Sequence, residues 1–195
     1  QYDQALALQE QTLKLHRARL GDDHTDTLNA MGNLAITYGD LGQYDKAMAL
    51  NEQTLKLRRD KLGDDHPGTL HSMHSLSVAY NDLGQYDKAV ALYEQALKGR
   101  RAKLGEDHPD TLGSMNNLAL AYGNIGQHEK ALALKEHTLK LYRAKLGEDH
   151  PHTFLSMANL ALSYHAFGQY DKALAFQERT LKLQRAKLGE DHPDT

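Results

Sequence analysis

The chain has 195 residues with 23 basic and 26 acidic side chains, 12 histidines and no cysteine, for a formal net charge of −3. The missing thiols exclude disulfides and thiolate zinc sites, and the balanced charge lacks the basic field of nucleic-acid-binding proteins. No apolar run approaches the roughly 20 residues that cross a bilayer and the first residues lack a signal-peptide pattern, so we expect a cytoplasmic protein without nucleic-acid or membrane partners.

The chain opens on the motif QYDQALAL, which returns as a near copy every 42 residues. The copies span residues 1–42, 43–84, 85–126 and 127–168, with a partial copy at 169–195. A fixed period of this kind indicates a single array of stacked units, in which each unit packs only on its neighbours. Because a catalytic residue is expected once and not in every unit, the repeat argues against an enzyme.

Each copy predicts two helices in chain order. The first, helix B, ends in basic residues and a glycine, as at Arg143, Lys145 and Gly147. A short acidic linker follows, and its Asp-His pair can cap the second helix, helix A, which Pro109 begins in the third copy. Helix A carries apolar residues at helical spacing and ends at a left-handed glycine such as Gly126. The array should thus contain nine helices in the order B–(A–B)×4.

Residue placement within the helices separates the repeat classes. A period of 42 also fits propeller blades and HEAT or armadillo repeats, but no segment alternates with period 2 as blade strands do. The run Leu118-Ala119-x-x-Tyr122-x-x-x-Gly126-x-x-x-x-Ala131 resembles the tetratricopeptide repeat (TPR) signature. With NNLA in helix A and LG-x-DHP between units, the chain is similar to the TPR arrays of kinesin light chain and nephrocystin type. This resemblance implies an all-α, right-handed superhelical solenoid that binds other proteins.

Histidines and arginines recur at fixed places that suggest structural roles. One histidine precedes each helix A start: His24, His66, His108, His150 and His192. One histidine and one aspartate provide too few ligands for tight metal binding, so we expect helix capping there and neither a metal nor another cofactor. His71 and His74 also lack an evident third ligand. The arginines near Arg17, Arg58 and Arg100 fall in the last turns of helix B, where positive charge stabilises a helix.

The resemblance also implies that residues flanking the apolar stripe of helix A line a ligand-binding groove. The polar positions carried over in this way are Asn29, Asn33, Asp40, His71, His74, Ser75, Asp82, Asn116, Asn117, Asn124, Asn159 and His165. Side-chain amides suit a peptide backbone because they both donate and accept hydrogen bonds. These positions vary more between copies than the core does. None is Lys or Arg, so we expect a peptide or protein ligand that is not strongly acidic.

Two functions stay open at this point. Variable groove positions favour a non-catalytic protein-interaction scaffold, whereas near-identical copies favour a structural spacer or a rod that self-associates head to tail. A sensor array within a larger signalling ATPase would depend on sequence outside this chain.

Two positions carry local expectations about stability. Gly99 stands where every other copy has leucine, so it predicts a weak helix that Gly99→Leu would strengthen. Thr138→Ala is expected to be nearly neutral, because the third copy already uses Ala96 at that position.

Overall fold

The computed structural model describes residues 2–189, and within them nine α-helices follow one another without a strand. Five helices of 19 residues correspond to helix B: α1 (Tyr2–Leu20), α3 (Tyr44–Leu62), α5 (Tyr86–Leu104), α7 (His128–Leu146) and α9 (Tyr170–Leu188). Four helices of 16 residues correspond to helix A: α2 (Thr25–Asp40), α4 (Pro67–Asp82), α6 (Pro109–Asn124) and α8 (Pro151–Ala166). The predicted all-α repeat array with alternating helices is confirmed.

The chain divides into two compact units, Gln1–Gly105 with helices α1 to α5 and Glu106–Thr195 with helices α6 to α9. Within each unit every helix packs against the next one in sequence, and α2 also touches α4. Packing between nearest neighbours is the arrangement expected of a repeat protein. One continuous array over residues 1–195 stays a prediction.

A histidine caps each helix A. The Nδ1 atoms of His24, His66, His108 and His150 accept a hydrogen bond from the backbone N–H two residues later, at 3.0 to 3.2 Å. Each imidazole thereby satisfies one of the amides that the start of a helix leaves unpaired. The predicted capping role is confirmed for these four histidines, and His192 lies outside the described residues.

Glycines end both kinds of helix, in two conformations. Gly126 has a φ of 74°, and the N–H of Gln127 bonds to the carbonyl of Tyr122 at 2.8 Å, which is the predicted left-handed termination. Gly147 instead combines a φ of 90° with a ψ of 168°, a region that is essentially restricted to glycine. Its carbonyl accepts a hydrogen bond from the Thr153 hydroxyl at 2.7 Å, which fixes the linker between the helices.

In α2, α4 and α8 a tyrosine bonds to the preceding helix B within the same unit. The buried Tyr80 donates its hydroxyl to Glu52 at 2.7 Å, and Tyr38 bonds to Glu10 in the same way at 2.5 Å. Tyr164 bonds to a glutamate of α7 at the equivalent position. The bond joins residues 28 positions apart, so it ties two helix pairs together. This contact gives Glu10, Glu52 and Glu136 the same structural role.

Gly99 has a packing role that contradicts the expectation for it. A Cβ atom at this position would lie 2.4 Å from Cδ2 of Leu70 and 3.0 Å from Cδ1. Leu70 is 3% exposed and belongs to the core, so an added Cβ atom would have to displace a packed side chain. The prediction that Gly99 leaves apolar surface unfilled is therefore wrong, because a leucine of α4 occupies that volume.

Candidate functional site: a groove between α2 and α4

Two connected cavities lie between α2 and α4 in the first unit, with α3 as their floor. The first, of about 270 Å³, is named the arginine cavity after Arg58 in its lining. The second, of about 450 Å³, is named the aspartate cavity after Asp40 and Asp82. Both cavities share residues that include Ile36 and Asn51, so they form one continuous groove.

All seven residues that the sequence predicted in the first unit lie along this groove. The arginine cavity is lined by Asn29, Asn33, His71 and Ser75, and the aspartate cavity by Asp40, His71, His74, Ser75 and Asp82. Helical periodicity accounts for the arrangement, since residues three, four and seven apart share a face of α2 or α4. The structure thus brings these seven side chains together.

The five residues predicted in the second unit lie on its two helices of type A. Asn116, Asn117 and Asn124 belong to α6, and Asn159 and His165 belong to α8. The ring of His165 packs edge-on against the ring of Tyr170, with centroids 5.1 Å apart. The main-chain carbonyl of Asn159 lies 3.4 Å from the ammonium group of Lys135 on α7.

Arg58 is a groove residue that the sequence argument missed. It extends from α3, is 8% exposed, and donates through Nη1 to the Gly68 carbonyl and the Ser72 hydroxyl, both at 2.9 Å. Its Nη2 donates to Oδ1 of Asn29 at 2.8 Å. Burial lowers the pKa of Arg58, and none of these acceptors is a carboxylate. Within residues 2–189, the guanidinium charge therefore lies below the groove without a hydrogen-bonded carboxylate.

Helix B supplies two further buried or half-buried cations near groove positions. Arg100 of α5 is buried, and its Nη1 lies 3.5 Å from Nδ1 of His74. Lys135 of α7 donates to the hydroxyl of Ser163, and burial lowers the pKa of its ammonium group. The expectation of a groove without Lys or Arg considered helix A alone, and it is wrong for the groove floor.

Variation among the copies could have found these floor positions. The residues equivalent to Asn51 are Gln9, Asn51, Tyr93, Lys135 and Gln177, and those equivalent to Arg58 are His16, Arg58, Arg100, Tyr142 and Gln184. Each set contains four residue types in five copies, more than any other helix B position. The two positions are seven residues apart and so share one helix face. Adjacent packing positions, by contrast, stay almost constant.

The asparagines along the groove differ in whether their side-chain amides already form hydrogen bonds within the protein. No group in the described part of the chain hydrogen-bonds the side-chain amide of Asn33, whereas Asn29 already accepts from Arg58. The Ser75 hydroxyl, which replaces asparagine in the second copy, donates to the carbonyl of His71 at 3.2 Å. Asn33 is thus the amide best able to pair with a ligand backbone.

Among residues 2–189, no three side chains of His, Cys, Asp or Glu converge as metal ligands would. None of the nine described helices combines the length and the apolar character needed to cross a membrane.

Comparison with known families identifies the repeat. A profile of the tetratricopeptide repeat matches residues 1–60, 51–102, 76–144 and 110–186. The chain belongs to the tetratricopeptide repeat family. A comparison with functionally curated proteins gives no match.

A solved structure confirms the kinesin light chain resemblance. This chain is 32% identical to the nearly identical TPR-like repeats of a putative kinesin light chain from Podosopora anserina, with a TM-score of 0.89 over 96% of this chain and 89% of that one. BtubC (BKLC) from P. vanneervenii is 23% identical, with a TM-score of 0.83 over 100% of this chain and 77% of that one. MamA, at 18% identity, has a TM-score of 0.64 over 95% and 90% of the two chains. The last two likenesses concern the fold alone.

Proposed function

We propose that this TPR chain is a non-catalytic scaffold that binds a peptide or a partner protein in the groove between α2 and α4. The observation that supports it most is the overlap between variation and cavity lining. The arginine cavity is lined by Asn29, Asn51 and Arg58, and the residue type at each of these three repeat positions differs among the copies. The packing residues beneath them recur in the copies. A binding surface tolerates such variation, and a packed core does not. The expected cytoplasmic location stays a prediction.

The charges along the groove limit the ligand's chemistry. The free amide of Asn33 suits the backbone of an extended segment, because it donates and accepts at once. Arg58 can pair with one acidic group that reaches into the arginine cavity. Asp40 and Asp82 at the other end oppose a run of acidic residues. The proposed partner is therefore not strongly acidic, with room for a single carboxylate near Arg58.

A display experiment tests this proposal. Random peptides long enough to extend along about four turns of α2 would be selected for binding to the chain. The selected peptides would then be tested against two variants, each of which adds one arginine and so has the same charge as the other. Ile36→Arg places an arginine in both cavities, whereas Ala102→Arg places one at an exposed site on α5 that lines neither. Selected peptides should lose binding to the first variant and keep it with the second. Peptides that bind both variants alike, or a library without enrichment, would contradict the proposal.

One observation on α9 favours the rival function, a rod that self-associates. Leu174 of α9 is 56% exposed, although the equivalent Leu132 of α7 is 7% exposed. Leu132 owes its burial to a core cluster that includes Met157 and Leu160 of α8. No described helix covers Leu174 in this way. A second copy of the chain could cover it, and sedimentation tests that possibility.

A further inference from the structure

Two aspartates end the helices that wall the aspartate cavity. Asp40 is the last residue of α2 and Asp82 the last of α4, and neither helix has a basic residue in its last turn. The carboxyl end of a helix carries partial negative charge, so a carboxylate there is unfavourable for the helix itself. Neither aspartate forms an ion pair within the described residues. Partial burial raises the pKa of Asp82, although a hydrogen bond with the Asn81 side chain lowers it.

The second unit shows that the fold does not need an acid at this position. The equivalents of Asp40 and Asp82 are Asn124 and Ala166, at the ends of α6 and α8. A charge that is unfavourable for its own helix, at a position where the fold also accepts a neutral residue, indicates a functional position. The aspartates are thus particular to the unit that contains the cavity.

The remaining lining of the aspartate cavity suits a long aliphatic side chain with a charged head. Ile36 and Val78 are exposed apolar residues on the facing helices, and they could cover a hydrocarbon stem. Tyr44 at the start of α3 contributes an exposed aromatic ring, which attracts a cation over its face. The cavity volume of about 450 Å³ is large enough for a lysine or arginine side chain.

We propose that the aspartate cavity is a subsite for a basic side chain, lysine or arginine, of the peptide bound in the groove. This inference rests on the proposed peptide-binding function. It adds that the position of a charged residue in the peptide determines how the peptide aligns with the groove. The basic residue lies between Asp40 and Asp82, and the neighbouring arginine cavity places Arg58 beside the adjoining part of the peptide. Opposite charges at the two ends of the groove fix the direction and position of the ligand.

Isoleucine methyl groups provide a direct test, because the chain contains only Ile36 and Ile125. Ile36 lines the aspartate cavity, whereas Ile125 follows α6 in the other unit and serves as an internal control. The chain with labelled isoleucine δ1-methyl groups would be titrated with N-acetyl-arginine amide, and separately with its uncharged isostere, N-acetyl-citrulline amide. The arginine probe should shift the Ile36 signal alone, with a dissociation constant on the order of millimolar. The citrulline probe should bind about fivefold more weakly.

The double variant Asp40→Asn with Asp82→Asn separates recognition from stability. It should abolish the difference between the two probes and raise the melting temperature, since it removes negative charge from two helix ends. The control Asp60→Asn removes an exposed acid of α3 that does not line the cavity, and it should leave both probes' affinities unchanged. Equal binding of both probes, an Ile36 signal that does not move at tens of millimolar, or a double variant that still prefers arginine would each overturn the inference.

Failure here is distinguishable from failure of the proposed function. If display selects peptides that lose binding to Ile36→Arg but carry no basic residue, the groove binds peptides and the basic subsite is wrong. If no peptide is selected while the arginine probe still shifts Ile36, the cavity binds a cation and the peptide-binding function is wrong.

Discussion

At the scale of single residues, the close contact between Gly99 and Leu70 predicts how a larger side chain at position 99 would change stability. In Gly99→Leu the new side chain would enter the volume that Leu70 fills, which should cost about 1–3 kcal/mol. Leucine regains roughly 1 kcal/mol of helix propensity over glycine, so the expected net effect is a destabilisation of up to about 2 kcal/mol. Chemical denaturation followed by circular dichroism measures the difference.

A compensating change tests the packing explanation for Gly99. Combining Gly99→Leu with Leu70→Ala removes the clash, so the pair should be more stable than Gly99→Leu alone, whereas independent effects would add. A Gly99→Leu variant that melts above the parent chain would contradict the explanation and restore the expectation drawn from helix propensity.

Thr138→Ala should change the free energy of unfolding by no more than about 0.5 kcal/mol. The fully buried hydroxyl of Thr138 donates to the carbonyl of Leu134 at 2.8 Å, in its own helix. Such a bond to the residue four positions back contributes little, and alanine gains in helix propensity what the small cavity costs. Ala96 occupies the equivalent buried position in the third copy. A loss above 2 kcal/mol in urea unfolding would show that the 3.5 Å contact of this hydroxyl with the Met115 sulfur is needed.

At the scale of helix pairs, the bond from Tyr80 to Glu52 makes stability depend on alkaline pH. Burial, followed by the hydrogen bond to the glutamate, raises the pKa of Tyr80 to about 12, against about 10 in an unfolded chain. The folded state therefore retains the phenolic proton that the unfolded state loses. The stabilisation is complete below about pH 10 and is lost as the pH rises towards 12.

Tyr80→Phe should accordingly flatten the fall in stability between about pH 10 and 12, while it costs about 1 kcal/mol at neutral pH. The matched control is Tyr170→Phe, since Tyr170 is exposed and its ring packs edge-on against His165. Urea unfolding across this pH range measures both variants. Parallel pH profiles for Tyr80→Phe and the parent chain would rule out the linkage.

The histidine caps carry a separate expectation for helix A. His108→Ala should lower stability by about 1 kcal/mol, because the N–H of Asp110 loses its acceptor at 3.2 Å. His108→Asn should retain most of that stability, since asparagine is a strong N-cap residue. Equal melting temperatures for the alanine variant and the parent chain would show that the proline at the first helical position suffices.

The sequence predicted those parts of the fold that local signals determine. The linker histidine, the proline after it and Gly126 locate a helix start and a helix end from a few neighbouring residues, so the helices were predicted in type and order. Arg58 and Gly99 were misjudged because their roles depend on residues of another helix, Asn29 in one case and Leu70 in the other. Spacing along one helix shows which residues share a face, and it does not show which side chain from the next helix reaches between them.

At the scale of the whole 195-residue chain, exposed leucines on α1 and α9 favour association between copies of this chain. Leu8 of α1 is 65% exposed, and Leu174 of α9 is exposed where its equivalent in α7 is buried. A contact between the first helix of one molecule and the last helix of another is heterologous, so each molecule that adds leaves a free surface to which a further copy can bind. Leu6 is also apolar and lies on α1, but it packs against the core cluster of the first unit, so a charge there would disturb the core. A charge at the exposed Leu8 tests association without that effect.

The 195-residue chain should therefore sediment as species that grow with concentration, and Leu8→Lys or Leu174→Glu should each reduce that growth, because either change blocks one end of every molecule. A mixture of the two variants is the decisive sample. One end of each stays apolar, so a single junction can form between the two kinds of molecule, and the mixture should yield dimers but no larger species. A strict monomer at every concentration, or variants that associate as strongly as the parent chain, would refute head-to-tail association and leave the groove as the sole candidate interface in the described part of the chain.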